Sequence, residues 1–120
     1  MTEQFAEVFA ALKALLKKHE RTLKVLKDGP QEYTLVTKSN SHKGQPMWFG
    51  SVRAGKAYVS YHLMPLYFNP QMNALVPATL KKRMQGKTCF NFKSVDKELF
   101  AELKKLTDEG VDSYRRRELL

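Results

Sequence analysis

Two things are scarce in this chain, and each scarcity excludes a class of protein. Cys89 is the single cysteine, so no internal disulfide can form and a disulfide-stapled scaffold is excluded. Long apolar runs are absent as well, and the first eighteen residues, MTEQFAEVFAALKALLKK, are interrupted by Glu3, Glu7 and Lys13. That interruption argues against a signal peptide or a membrane span. We therefore expect a cytoplasmic protein that does not engage a membrane.

Acidic residues are missing from the middle of the chain. No Asp or Glu occurs between Glu32 and Asp96, although the chain has 12 acids and 21 bases. The flanks balance, so the whole net charge of +9 belongs to this window. Strands are generally poor in Asp and Glu, so a sheet with solvated lysines would give the same pattern. The alternative is a surface that binds anions. The bases in the window are Lys38, Lys43, Arg53, Lys56, Lys81, Lys82, Arg83, Lys87 and Lys93.

The length and composition are those of one globular domain. With 120 residues and 42% apolar residues, the chain can bury a compact core without disulfides or a structural metal. It contains no internal repeat and no low-complexity segment. We therefore predict a single domain over residues 1–120.

The first helix is the clearest predicted element. Thr2 is placed to cap it, and its apolar residues recur at steps of three and four: Phe5, Val8, Phe9, Leu12, Leu15 and Leu16.

The next segment is predicted to form a hairpin. Residues 22–27 and 32–38 are rich in residues that favour strands, and residues 28–31, Asp-Gly-Pro-Gln, are typical of a turn. Alternatively, the first helix continues through Leu26, because RTLKVLKD also tolerates helix.

Two further strands are predicted over residues 47–53 and 56–64. Ala54 and Gly55 join them, and Gly55 can adopt the positive φ of a tight reversal. Because side chains alternate along a strand, the second strand has a predicted core face of Ala57, Val59, Tyr61 and Leu63. Its other face carries Tyr58, Ser60, His62 and Met64. Trp48 and Phe49 also alternate, so one should be buried and the other should lie on the open face.

The rest of the chain is predicted to form a short helix, a strand and a long helix. Pro65 and Pro70 end the preceding strand, and a helix over residues 77–84 stops at Gly86. KTCFNFK is typical of a strand with Phe90 and Phe92 on one face. The last helix begins near Ser94 or Asp96 and buries Leu99, Phe100, Leu103, Leu106, Val111 and Tyr114.

These elements predict an α+β fold. An antiparallel sheet of about five strands packs against N- and C-terminal helices, and its second face stays partly open. Residues 58–73, YVSYHLMPLYFNPQMN, end a strand with two prolines and several aromatics. We interpret residues 64–73 as an ordered plug at the end of the sheet whose outer residues border any site.

Two stretches resemble the YdhG-like family of small bacterial domains of unknown function. They are GQPMWFGSVRAGKAYVSYHLMPLY and LKKRMQGKTCFNFKSVDKELFAELKKLTDEGVDSYRR. The resemblance implies a frataxin-like sandwich, and some members of the family have been linked to iron handling and iron-sulfur assembly. Iron binding of the frataxin type depends on a ridge of carboxylates along the first helix. The first helix of this chain has few acids and as many lysines. We therefore expect the fold of the family and do not expect its role in metal binding.

No residue set matches a known catalytic or metal constellation. Gly86, Lys87 and Thr88 are similar to the end of a phosphate-binding loop, but Lys81 stands where that loop needs a glycine. Cys89 and His62 would share a sheet face if their strands are neighbours, without an evident third group to orient them. The three histidines, His19, His42 and His62, lack ligand spacing. We predict no catalytic residue, no metal site and no cofactor.

The remaining hypothesis is a basic, aromatic-lined sheet surface. Cations beside aromatic rings suit a phosphate or carboxylate ligand, or single-stranded nucleic acid. We predict a non-catalytic binding module for an anionic small molecule or an acidic protein, with nucleic acid as a further possibility. The alternative, from the resemblance, is an accessory protein in iron or iron-sulfur homeostasis. The predicted binding residues are Arg53, Lys56, Tyr58, His62, Tyr67, Lys82, Arg83 and Lys87.

Overall fold

The computed structural model describes residues 2–40 and 43–120 as an α+β fold. The helices are α1 (Glu3–Lys17), α2 (Pro65–Phe68), a 3₁₀ helix (Pro70–Leu75), α3 (Ala78–Lys81) and α4 (Lys97–Arg116). The strands are β1 (Lys24–Asp28), β2 (Glu32–Val36), β3 (Trp48–Ala54), β4 (Val59–Leu63), β5 (Met84–Gln85) and β6 (Cys89–Phe92). His42, one of the three histidines that lack ligand spacing, lies outside the described residues.

The strands form one six-stranded antiparallel sheet in the order β1-β2-β3-β4-β6-β5. The hairpin of β1 and β2 is confirmed, so the alternative in which the first helix continues through Leu26 is wrong. A register shift between β2 and β3 pairs Leu35 with Gly50 but Val36 with Trp48. The extra residue at this bulge is Phe49, which is fully buried, whereas Trp48 is 38% exposed.

Both long helices pack on one face of the sheet, which we call the core face. Thr2 caps α1 through its Oγ1, which accepts from the Phe5 amide, and α1 buries Val8, Phe9, Leu12 and Leu16. Asp96 caps α4 in the same way by accepting from the Leu99 amide. The buried strand residues of this face include Tyr33, Leu35, Val52, Val59, Tyr61, Leu63, Phe90 and Phe92.

Polar contacts fix α4 against its neighbours. The Tyr61 hydroxyl lies 2.6 Å from the Thr107 hydroxyl inside the core, and Tyr114 donates to the Trp48 carbonyl. Asp108 accepts from Lys18 and also contacts His19 at 2.8 Å, which ties α4 to the end of α1. Burial raises the pKa of Asp108, but these two partners outweigh it and hold the pKa below its usual value.

The segment after β4 is ordered and packs against α4. The ring of Pro65 lies at Gly110, where an added Cβ would be 2.9 Å from the proline Cγ. Asn69 donates to the Ser113 hydroxyl, and Arg117 donates to the Phe68 carbonyl. Met72 is buried in the core cluster. Residues 64–73 therefore extend the core on the helix side of the sheet, except for the exposed side chain of Tyr67, which lies beside Lys87 at the end of β4.

Three local predictions were wrong. The helix predicted over residues 77–84 ends at Lys81, and Met84 and Gln85 form the sixth strand instead. Gly86 does not stop a helix; its φ of 79° serves the turn between β5 and β6. Gly55 does not adopt a positive φ, because Ala54 pairs with Val59 and the turn between them is wide enough for ordinary dihedral angles.

None of the helices in the described residues combines the length and apolarity that crossing a bilayer requires.

Candidate anion-binding site

The face of the sheet opposite the helices, which we call the open face, is polar. Its side chains are those that alternate with the core residues along each strand. Strand register aligns them in rows that run across the sheet. One row contains Glu32, Arg53, Ser60 and Asn91. The next row contains Thr34, Ser51, His62, Cys89 and Gln85.

Hydrogen bonds between side chains order the β4–β6–β5 part of this face. Ser60 Oγ donates to Asn91 Oδ1 at 3.0 Å, and the Cys89 thiol donates to the same oxygen at 3.3 Å. Asn91 Nδ2 donates to Gln85 Oε1 at 2.7 Å. Because three side chains hydrogen-bond to Asn91, the side chains of Ser60, Gln85 and Asn91 are held in place. We call these three side chains the polar floor.

His62 and Cys89 are cross-strand neighbours, as predicted for adjacent strands. The next pair along the ladder is hydrogen-bonded, with the Leu63 amide donating to the Thr88 carbonyl at 2.9 Å. His62 and Cys89 therefore occupy a non-hydrogen-bonded position, where side chains come closest.

The charge state of this pair does not favour nucleophilic chemistry. Burial raises the pKa of the Cys89 thiol above its ordinary value. Burial also lowers the pKa of His62, and the nearby charge of Arg53 lowers it further. Both groups are neutral at pH 7, so they do not form the thiolate and imidazolium pair that activates a cysteine.

Two adjoining grooves share Tyr58, and we call them together the Tyr58 site. The first has a volume of about 430 Å³ and is lined by Arg53, Ala54, Gly55, Lys56, Ala57, Tyr58 and Ser60. The second has a volume of about 370 Å³ and is lined by Tyr58, Lys82, Arg83, Met84, Gln85, Asn91 and Lys93. Five cations line the Tyr58 site, and no Asp or Glu does.

The cations of the acid-free window are not neutralised by ion pairs. In the described part of the chain, every ion pair joins an acid to a base of the flanks: Lys13, Lys18, His19, Lys27, Lys105, Arg115 or Arg116. Arg53, Lys56, Lys82, Arg83 and Lys93 take part in no ion pair among residues 2–40 and 43–120. The charge asymmetry of the sequence is therefore retained in three dimensions.

Carboxylates border the Tyr58 site on two sides. Glu32 is the cross-strand partner of Arg53 on the β2 side, and it pairs with Lys27 at 3.5 Å. On the other side, Lys82 and Arg83 also line a groove of about 560 Å³ with Asp96, Glu98 and Glu102 of the α4 N-terminal region. Positive charge is therefore concentrated between these borders, around the β3–β4 turn, the start of β5 and the end of β6.

The predicted binding residues divide into two groups. Arg53, Lys56, Tyr58, Lys82 and Arg83 come together at the Tyr58 site. Lys87 and Tyr67 meet at the opposite end of β4, where the lysine Nζ lies 5.9 Å from the ring centroid. His62 lies on β4 between the two groups.

Sequence reasoning did not select Lys93, Asn91, Ser60 or Gln85. Three of these had a usable signal: Ser60 and Asn91 alternate with core residues on their strands, and Lys93 follows directly after β6 within the acid-free window. Gln85 could not be placed because it fell between the helix predicted over residues 77–84 and Gly86, outside any predicted strand.

The described residues contain no group of three or more His, Cys, Asp or Glu side chains that could hold a metal ion. In comparisons with known proteins, no family model, no curated protein and no solved structure matches the chain.

Proposed function

We propose that this chain is a non-catalytic module that binds an anionic ligand at the Tyr58 site. One observation carries the proposal: five cations without ion-pair partners in the described residues line two joined grooves from which carboxylates are absent. Unpaired surface cations repel one another, and a bound anion relieves that repulsion. The arrangement therefore suits a ligand with several phosphate or carboxylate groups.

The side chains of the site provide more than charge. Arg53 and Arg83 each offer a planar guanidinium group that can donate two parallel hydrogen bonds to a phosphate or carboxylate. The half-buried ring of Tyr58 lies between the two grooves and can pack against an apolar or aromatic part of a ligand. An acidic protein surface and a phosphorylated small molecule both meet these requirements.

We also propose that the fold is of the frataxin-like, YdhG-like type and that the protein acts in the cytoplasm. A helix at each end of an antiparallel sheet, with both helices on one face, supports the fold assignment.

The resemblance to an iron-associated family does not extend to a set of metal ligands, because the described residues offer no carboxylate cluster on α1. Iron binding is therefore not the function we favour.

Binding of sodium tripolyphosphate, measured by isothermal titration calorimetry, tests the proposed function. We expect saturable binding that weakens as salt is added, because charge dominates the contact. The double variant Lys56→Gln and Lys93→Gln should lower the affinity at least about tenfold, since each lysine supplies a charge-assisted hydrogen bond.

The matched control is Lys17→Gln with Lys104→Gln, which removes the same charge from exposed positions on α1 and α4. Its affinity should stay within about twofold of the unmodified protein, because screening weakens distant charges. Equal losses in the two double variants would show that only net charge matters, and the assignment of the site would then be wrong.

A further inference from the structure

We infer that the anion bound at the Tyr58 site is a single-stranded nucleic acid that runs along β4 to Lys87 and Tyr67. This inference rests on the proposed function and specifies its ligand class. Three observations support it: the length of the path from Tyr58 along β4 to Tyr67, the side chains along this path, and the carboxylates on both sides of it.

The path has an aromatic ring and a cation at each end. Tyr58 immediately precedes β4, and Tyr67 lies in α2, which begins two residues after β4 ends. Tyr67 is 57% exposed, and Lys87 holds its ammonium over the ring. Six residues of strand span about 20 Å. A strand of about six nucleotides at the rise of B-form DNA covers the same length.

The groups along the path match the parts of a nucleotide. Cations on both sides of Tyr58 suit phosphates, and the ring between them suits stacking of a base. The polar floor of Asn91 and Gln85 and the neutral imidazole of His62 provide donors and acceptors for base edges. A purely carboxylate ligand would use the cations and leave the ring and the amides unengaged.

The carboxylates that border the site favour this path over others. Glu32 lies on the β2 side of Arg53, and Glu98 and Glu102 lie beyond Lys82 and Arg83. They repel phosphates on both flanks, whereas the cations around Tyr58 and Lys87 at the far end of β4 attract them. A polyanion is thereby directed along the strand instead of across the sheet.

Fluorescence anisotropy with labelled oligothymidylates of two and eight nucleotides tests the inference. Tyr58→Leu should weaken binding of the octamer about 5- to 150-fold, which is the range expected from the loss of one stacked base. Tyr58→Phe keeps the ring and should bind as the unmodified protein does. Tripolyphosphate binding should be unchanged in Tyr58→Leu, because that probe has no base to stack.

The variant Lys87→Gln tests whether the nucleic acid runs along β4 toward Lys87 and Tyr67. Lys87→Gln should weaken the octamer, which can reach the far end of β4, and leave the dinucleotide unaffected. It should also reduce the slope of log affinity against log salt for the octamer by about 1. The control is an exposed lysine of α4, Lys104→Gln, which should leave the binding of both oligonucleotides unchanged.

The outcomes separate this inference from the proposed function. If Lys56→Gln with Lys93→Gln weakens tripolyphosphate but Tyr58→Leu leaves the octamer unaffected, the site binds anions and nucleic acid is the wrong ligand. Binding of a polyglutamate peptide as tightly as the octamer would assign the site to an acidic protein instead. If the lysine variants change no ligand, the Tyr58 site and this inference both fail.

Discussion

At the scale of single residues, partial burial and nearby positive charge together determine the protonation of groups on the open face. His62 shows this most directly, because burial and Arg53 both lower its pKa. A histidine exposed in the unfolded chain has a pKa of about 6.5 and takes up a proton first as the pH falls. The folded state is therefore progressively disfavoured below about pH 6.5 by this residue.

Replacing Arg53 by Gln should raise the pKa of His62. The substitution removes the repulsion between the guanidinium group and the imidazolium form, while burial remains and keeps the pKa below about 6.5. The loss of stability on acidification should become smaller in the same variant. An NMR titration of the His62 ring measures the pKa, and urea unfolding at several pH values measures the stability.

Arg21→Gln is the matched control, because it removes an exposed arginine at the end of the α1 region. It should leave the His62 titration unchanged. A His62 pKa that falls or stays constant in Arg53→Gln would contradict the account of charge on this face.

At the scale of elements, α4 is positioned by a close contact that requires glycine. Gly110 lies within α4, where alanine normally stabilises a helix by about 1 kcal/mol. A Cβ at this position would lie 2.9 Å from Cγ and 3.3 Å from Cβ of Pro65. The proline ring is rigid, so it cannot move aside as a flexible side chain would.

We therefore expect Gly110→Ala to destabilise the protein by about 1–3 kcal/mol, because overpacking outweighs the gain in helix propensity. Urea denaturation provides the measurement. Lys104→Ala, at an exposed position of the same helix, should change stability by less than about 0.5 kcal/mol. Adding Pro65→Ala to Gly110→Ala should cost less than the two single changes together. A more stable Gly110→Ala protein would mean that α2 shifts at no cost.

The elements that sequence reasoning predicted correctly are those with a strong local pattern. Apolar periodicity located α1 and α4, and alternation on β4 assigned Tyr61 to the core and His62 to the open face. The short strand β5 was missed because Met84 and Gln85 carry no alternation of their own. Their strand conformation comes from pairing with β6, which is a tertiary effect.

The candidate site was predictable in part for the same reason. The acid-free window identified its cations, and strand alternation placed His62 with them. The sequence cannot show that Lys87 and Tyr67 lie at the far end of β4 from Tyr58, because that depends on strand order and on how α2 docks. It also cannot show that Glu98 and Glu102 border the site, since α4 is brought there by packing on the other face.

At the scale of the whole molecule, the charges are segregated. Every ion pair of the described residues uses a base of the terminal segments, and the cations of the middle segment are left without ion pairs. Like charges held close together destabilise a folded state. If these cations serve binding, removing them should not weaken the fold.

Lys56→Gln with Lys93→Gln should therefore be at least as stable as the unmodified protein. No ion pair of the described residues is lost, and two repelling charges are removed from a chain of net charge +9. At low ionic strength we expect a gain of a few tenths of a kcal/mol, on the order of one weak surface pair. The gain should disappear at about 0.5 M salt, where screening shortens the range of the repulsion. Urea unfolding at the two ionic strengths measures it. A loss of more than about 1 kcal/mol would mean that these lysines stabilise the fold, beyond what surface substitutions usually cost.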